Sequence, residues 1–483
     1  MGRLKGRIMP KDSAAYTRGA IGSTLIKTAF AMVPGTLAMS GYNLADAFFV
    51  GRLGREPLAA MGFTFPVIML AWCIFHGVGV GVVTTVSQSL GGGRHNRAAG
   101  LVECGILLSV LISVVIAAVG MAGCGWIFRQ FGARGNTLVL VMAYMNIWFF
   151  GCVTGTLSGL GNSLLIAAGD ARTAAVMMMA GMVFNAILDP LMIFGPGPFP
   201  AMGIRGAALA TVLSQMLAAG AVLAIVKFRH GLIRLEKIPA RRLFTAWKMI
   251  IRFAVPATIG MLMMPAGMAV ITRITATFGD AVVAATAAAG RVEAVAFILP
   301  MAMGISLVPM IGQNYGAKLY GRIRGIQRFA MRFAGIYLFV MAALFFILAP
   351  TVAGWFAPGD AEVRRVMILG MRIVPWGFSF IEIHRYGGFF FTGSGRPSVA
   401  AWLNGIRMLG LLVPLSLLAL PFDSVTILFC ARLLADTLSG LLAWYASSRL
   451  MKALPANGAV PPAPSKGFFG LQQMFPPPYR RTK

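Results

Sequence analysis

Apolar residues run along this chain in long continuous blocks, separated by short linkers rich in Gly, Arg and other polar residues. A helix that crosses a bilayer needs about 20 consecutive apolar residues. On that rule twelve spans are expected, at roughly 26–50, 58–86, 98–121, 138–166, 173–195, 204–226, 247–276, 281–312, 329–350, 363–391, 398–420 and 424–447. The first block lacks a small-residue cleavage site, and it reads as a retained span rather than a signal peptide.

The punctuation of these blocks repeats. Gly54, Ala59, Ala60, Gly79, Gln88, Gly91 and Arg97 recur 225 residues later as Gly279, Ala284, Ala285, Gly304, Gln313, Gly316 and Arg322. Gly169, Arg172 and Pro190 recur at an offset of 224 as Gly393, Arg396 and Pro414. The pattern predicts an all-α integral membrane protein with twelve transmembrane helices in two pseudo-symmetric six-helix lobes. The expected division is a cytoplasmic N-terminus at 1–25, an N-lobe at 26–227, a basic linker at 228–246, a C-lobe at 247–448 and a Pro-rich, disordered tail at 449–483. Long membrane chains built from two such repeats move substrates along the groove between them. The halves differ in one respect: Asp46 corresponds to Ile271, and Asp189 to Val413.

Composition agrees with a membrane class. The chain is 58% hydrophobic and 12% charged, with a mean hydropathy of +0.80, whereas a soluble domain carries roughly 25% charged residues. The formal charge of +28 does not point to nucleic acid, because most of the 42 Lys and Arg fall in the N-terminus, the even-numbered loops and the C-terminus. Positive loops stay inside, so both termini are expected to be cytoplasmic, in a multi-pass protein of the inner membrane. The densest cluster, from Lys227 to Lys248, reads as an orientation signal attracted to anionic lipid. The five cysteines lack C-x-x-C spacing and the four histidines are scattered, so neither a disulfide framework nor a zinc site is expected. No Walker A loop, G-x-G-x-x-G, H-E-x-x-H or G-x-S-x-G occurs. No enzyme activity and no cofactor are expected, and transport would draw on an ion gradient or on none.

Ionisable groups inside spans cost about 2.5–3.5 kcal/mol on insertion scales, so they are candidates for function. Tyr42 and Asp46 lie four apart on one face of the first span; the phenol could donate to the carboxylate or stack on a flat cation. Asn185 and Asp189 repeat that spacing in the fifth span, just before Pro190. If the two spans face each other, Asp46, Asn185 and Asp189 converge. Two carboxylates in a low-dielectric site cannot both ionise easily and titrate as a unit. The same oxygens could hold Na⁺, a possible metal site. Glu382 in the tenth span is either internally paired with Arg385 or a further substrate contact beside His384. Arg291 and Glu293, two apart, point to different faces and are expected to pair with other helices. His76 reads as a satisfied core histidine.

At this point the motifs become specific. Tyr42-Asn43-Leu44-Ala45-Asp46 and the residues through Gly54 resemble the first-span signature of the MATE (multidrug and toxic compound extrusion) family. The same holds for 162–172, for Asn185 with Asp189-Pro190, for 203–211, and for Pro309 with Gly312-Gln313-Asn314-Tyr315-Gly316-Ala317. The resemblance runs from about 20 to 450. It implies a two-lobe antiporter that exports organic cations or drugs in exchange for protons or sodium. It also implies an N-lobe site made of Asp46, Asn185, Asp189, Tyr42, Tyr144, Asn162 and Thr211. The implied partners are cationic amphiphilic small molecules and membrane lipids, and the implied state is a monomer. Sodium-linked members often carry a Glu in span seven, where this chain has Met261-Leu262-Met263-Met264; coupling is therefore expected in the N-lobe. The alternative is a flippase for a lipid-linked precursor. It would need several cationic groups inside spans, and the candidates Lys27, Arg252, Arg291, Arg332, Arg385 and Arg407 are few and mostly near helix ends.

Overall fold

The computed structural model describes residues 14–196, 200–235 and 237–455, with the Asn43 side chain left aside. The tail expected to be disordered lies outside the described residues from 456 onward. Among the described residues every regular element is helical: α1 (Ile21–Gly51), α2 (Arg55–Gly91), α3 (His95–Gln130), α4 (Gly135–Ala167), α5 (Ala171–Phe194), α6 (Ile204–Phe228), α7 (Ala240–Ala276), α8 (Asp280–Ala296), α9 (Ile298–Gly316), α10 (Tyr320–Phe356), α11 (Ala361–Ile373), α12 (Phe378–Gly393), α13 (Pro397–Gly405), α14 (Val413–Leu417) and α15 (Val425–Ala453), with short 3₁₀ or π turns between some of them. A helix satisfies its own backbone groups, which lipid cannot do. Among the described residues eleven stretches are long and apolar enough to cross a membrane, and the bent pair α8–α9 completes twelve.

Proline explains where expected spans break. The eighth span is two helices bent by 60° at Phe297. Pro300 has no N–H and its ring crowds the carbonyl of Ala296, the last residue of α8, which weakens the helix at the bend. In the eleventh span a π-helical segment, Ile406–Leu412, separates α13 from α14. The widened turn lies directly ahead of Pro414 and accommodates its ring. The repeat is also visible in the turns. Gly54 and Gly279, 225 residues apart, have φ of 119° and 103° and precede α2 and α8; a side chain at either position would be strained.

The described residues form two compact units. Residues 30–254 make most of the first, and Val255 onward together with Gly19–Ala29 the second. Both α1 and α7 therefore begin in one unit and continue in the other. Repeat-related arginines hold those beginnings. In the second unit Arg322 Nη1 donates to the Gly19 carbonyl at 2.8 Å. In the first, Arg97 Nη2 lies 3.9 Å from Met249 Sδ near the start of α7.

Without an aqueous driving force between helices, close packing relies on small residues. In the first unit Gly151, Gly155 and Gly161 of α4 lie under Val212, Gln215 and Val222 of α6, and Gly35 and Gly41 bring α1 against Ala175, Met178 and Met182 of α5. Phe128, Tyr144, Met145 and Phe149 form part of this unit's buried core. The second unit packs around Leu338, Phe345, Met371 and Phe378.

Candidate functional site

The glycine contacts between α1 and α5 set the site, because they let the polar residues of the two helices approach. Asn185 and Asp189 of α5 are 0% exposed and Asp46 of α1 is 7% exposed. The Asn185 amide donates to Asp189 Oδ1 at 3.3 Å. The Asp46 carboxyl lies within hydrogen-bonding reach of both Asp189 and Asn185. From α6, Thr211 Oγ1 is 3.5 Å from Asp46 Oδ2 and 3.0 Å from the Ala207 carbonyl. A hydroxyl has a single proton, so these two acceptors compete for it. Tyr144 of α4 lies near Thr211.

Three acceptor atoms here, Asp46 Oδ1, Asp189 Oδ2 and Asn185 Oδ1, have no hydrogen-bond partner in the protein. No Arg or Lys among the described residues pairs with either carboxylate. Buried carboxylates without a countercharge are costly, and an all-oxygen donor set of this kind suits a proton or a hard cation. No cluster of three or more His, Cys, Asp or Glu that would favour a transition metal occurs among the described residues.

Along α1 and α5, Tyr42 and Gly181, each four residues before Asp46 and Asn185, line a cavity of about 140 Å³ whose wall also includes Asn162, Met177, Met178, Ser214 and Gln215 but neither carboxylate. This volume is below the 300–1,000 Å³ of drug-sized pockets and has room for a head group rather than a whole amphiphile. Tyr42 does not serve Asp46 as a hydrogen-bond donor, one of the two roles expected for it. Its hydroxyl is paired instead with Ser214 Oγ of α6. Ser214 and Gln215 are site residues that sequence reasoning missed. A signal existed: Thr211 and Ser214 are three apart, on one helical face.

The structure thus brings Asp46, Asn185, Asp189, Tyr42, Tyr144, Asn162 and Thr211 into one region of the first unit. Glu382 lies in the second unit. Its Oε2 is 2.9 Å from Arg385 Nη1, the internal pair, while its Oε1 is buried without a hydrogen-bond partner. Two further carboxylates within that unit's helices are paired too: Glu293 with Arg432 at 2.6 Å and Asp436 with Arg407 at 2.8 Å. Glu293 therefore pairs with another helix, as its spacing from Arg291 suggested. His384 Nε2 is hydrogen-bonded to Asn404 Oδ1 at 2.9 Å, and Asn404 Nδ2 donates to the Gly260 carbonyl at 3.2 Å, joining α12, α13 and α7. In the first unit, His76 stacks on Trp72 with ring centroids 4.7 Å apart.

Comparison with known proteins matches this architecture. The MatE family model covers residues 32–191 and 256–418, one segment in each half. The chain is 30% identical over 449 residues to a protein of Shewanella oneidensis named FAD transporter, covering 93% of this chain and 99% of that one. A probable multidrug resistance protein, NorM, of Thermotoga maritima is 21% identical and aligns over 78% of this chain and 80% of its own length. Among solved structures, the bent form of the Vibrio cholerae MATE transporter VcmN superposes with a TM-score of 0.84 at 27% identity, over 91% of this chain and 98% of that one. The repeated halves, the twelve spans and the family match together make this chain a member of the MATE family, a multi-pass membrane transporter.

Proposed function

We propose that the protein is an H⁺- or Na⁺-coupled antiporter of the cytoplasmic membrane that exports organic cations by alternating access. The observation that carries this reading is the buried Asp46–Asp189 pair, without a countercharge from the protein and one helical turn from a cavity. With the site open to the cytoplasm, the ionised pair attracts a cationic head group into the cavity. After the site opens outward, a proton or Na⁺ on the carboxyl oxygens neutralises the pair and releases the cation. Thr211 follows the change: its hydroxyl donates to an ionised Asp46, and accepts from a protonated one while donating to the Ala207 carbonyl. Ligand and coupling ion compete for one charge, so exchange needs no ATP. The second unit offers no comparable site, since its Glu293, Glu382 and Asp436 are held by arginines.

The test is dye movement in liposomes holding purified protein, with proton and sodium gradients imposed separately. One gradient should drive an ethidium-like cation in the wild type, and Asp46→Asn should abolish that movement while the protein remains folded. Intact efflux by the variant would sink the assignment. A second reading has a specific observation behind it, the Shewanella oneidensis relative named for FAD. Flavin dinucleotides are anions, and the same liposomes offered FAD instead of the dye separate the two. The lipid-precursor flippase is weaker, because Arg385 and Arg407, two of its candidate cationic groups, are bound to carboxylates.

A further inference from the structure

Ser214 occupies an unusual place among the groups around the cavity. It is 1% exposed, it forms part of the cavity wall, and its hydroxyl makes two contacts. It donates to the Thr211 carbonyl at 2.9 Å, and it meets the Tyr42 hydroxyl. A serine has one proton and two lone pairs. A carbonyl can only accept, so the Ser214 proton is spent on Thr211. In the arrangement that satisfies the Thr211 carbonyl, Ser214 is the acceptor in the contact with Tyr42 and the phenol the donor. The Tyr42 proton is thereby turned toward α6, and what the phenol oxygen has left to offer the cavity is lone pairs.

Resting on the cation-export reading, we propose that Ser214 is a positioning residue that sets the hydrogen-bond polarity of the cavity wall. By accepting the Tyr42 hydroxyl it makes the phenol an acceptor toward the cavity, so the cavity selects ammonium ligands that carry an N–H over quaternary ones of the same size. Two neighbouring groups add to the pull on cations, the first as a further acceptor and the second by charge alone. Asn162 Oδ1 has no partner within the protein, and the acidic pair supplies negative charge. Charge alone attracts both kinds of cation equally; only an oriented acceptor distinguishes them. Without Ser214 the phenol rotates freely and can present its proton to the cavity, and its part of the distinction is lost.

Binding of benzyldimethylammonium and benzyltrimethylammonium to the purified full-length protein, measured by equilibrium dialysis, tests this. A hydrogen bond to a charged donor corresponds to about a tenfold preference for the N–H ligand. The wild type should show that preference. Ser214→Ala and Tyr42→Phe should each lower it to the same residual value, the part that Asn162 Oδ1 supplies, the double variant should go no further, and Ser214→Thr should keep it. A wild type without preference, or a Ser214→Ala protein that retains it in full, overturns the proposal. The ¹⁹F resonance of 3-fluorotyrosine placed at 42 reads the contact without any ligand. It should shift in Ser214→Ala and return in Ser214→Thr; a resonance unmoved by Ser214→Ala overturns the positioning role. Failure of both cations to bind the wild type would strike the cation-export reading, with the ¹⁹F result still deciding for or against Ser214.

Discussion

Arg407 holds Asp436 through two donors on one carboxylate oxygen, Nε at 3.0 Å and Nη2 at 2.8 Å. Both side chains are largely buried in the second unit, and Arg407 projects from the π-helical segment between α13 and α14. Removing one partner of a buried pair strands a charge, which costs about 3–5 kcal/mol, whereas replacing both by apolar groups is often neutral. Arg407→Met alone should therefore lower the thermal midpoint of the detergent-solubilised protein markedly. Arg407→Met with Asp436→Leu should recover most of that loss. A single variant as stable as the wild type would remove the pair from the structural account.

The acidic pair of the first unit makes the opposite prediction. On the proposed mechanism Asp46 and Asp189 hold the coupling ion as one unit, so their variants should not add. Asp189→Asn and Asp46→Asn should each reduce gradient-driven efflux to the level of protein-free liposomes, and the double variant should look the same. Stability should hold or rise, because neutralising a buried carboxylate that has no countercharge relieves its desolvation cost. Residual coupled transport in Asp189→Asn, read as dye efflux under the active gradient, would show that Asp46 acts alone.

Helix approach can be tested at two glycines. A methyl group at Gly206, at the start of α6, would collide with the Met192 carbonyl of α5, while one at Gly159 of α4 meets nothing within 4 Å. Overpacking against fixed backbone costs about 1–3 kcal/mol. Gly206→Ala should lower the thermal midpoint, and Gly159→Ala should leave it unchanged or raise it slightly through better helix propensity.

The stretch after α6 is pinned by Glu103 of α3. Its Oε1 accepts the backbone N–H of both Arg234 and Leu235 at 2.6 Å. Arg234 Nη2 adds a bond to Asn96 Oδ1 at 2.7 Å, and Leu235 sits at φ 57°. Glu103→Ala should free this segment and speed tryptic cleavage after Arg234. Leu235→Gly, which removes a strained side chain, should stabilise the folded segment by up to about 1 kcal/mol in hydrogen exchange.

Much of this protein was legible in its residues. Span number and the repeat follow from a physical constraint that acts locally: lipid admits only segments that satisfy their own backbone, so apolar length alone reveals them. The candidates Asp46, Asn185 and Asp189 stood out for the same reason, since charge in a span is rare. The break at Phe297 was less visible, because one apolar block can hold one helix or two and Pro300 alone does not reveal the angle.

Partner choice lay beyond the sequence. Tyr42 is four residues from Asp46, yet its hydroxyl is taken by Ser214, 172 residues away in the chain. Glu293, two residues from Arg291, pairs with Arg432. A side chain's nearest charge in sequence and its nearest hydrogen-bond partner in space are set by different things, the first by chain order and the second by which helix faces meet. Composition and periodicity determined a membrane protein of twelve expected spans in two repeats with acids inside them, and the resemblance of the motifs pointed to a transporter. Only the tertiary structure decided that Asp46 and Asp189 lack a protein countercharge while Glu293, Glu382 and Asp436 of the other half are paired with arginines, because whether a buried charge is paired depends on what the neighbouring helix carries at the same depth.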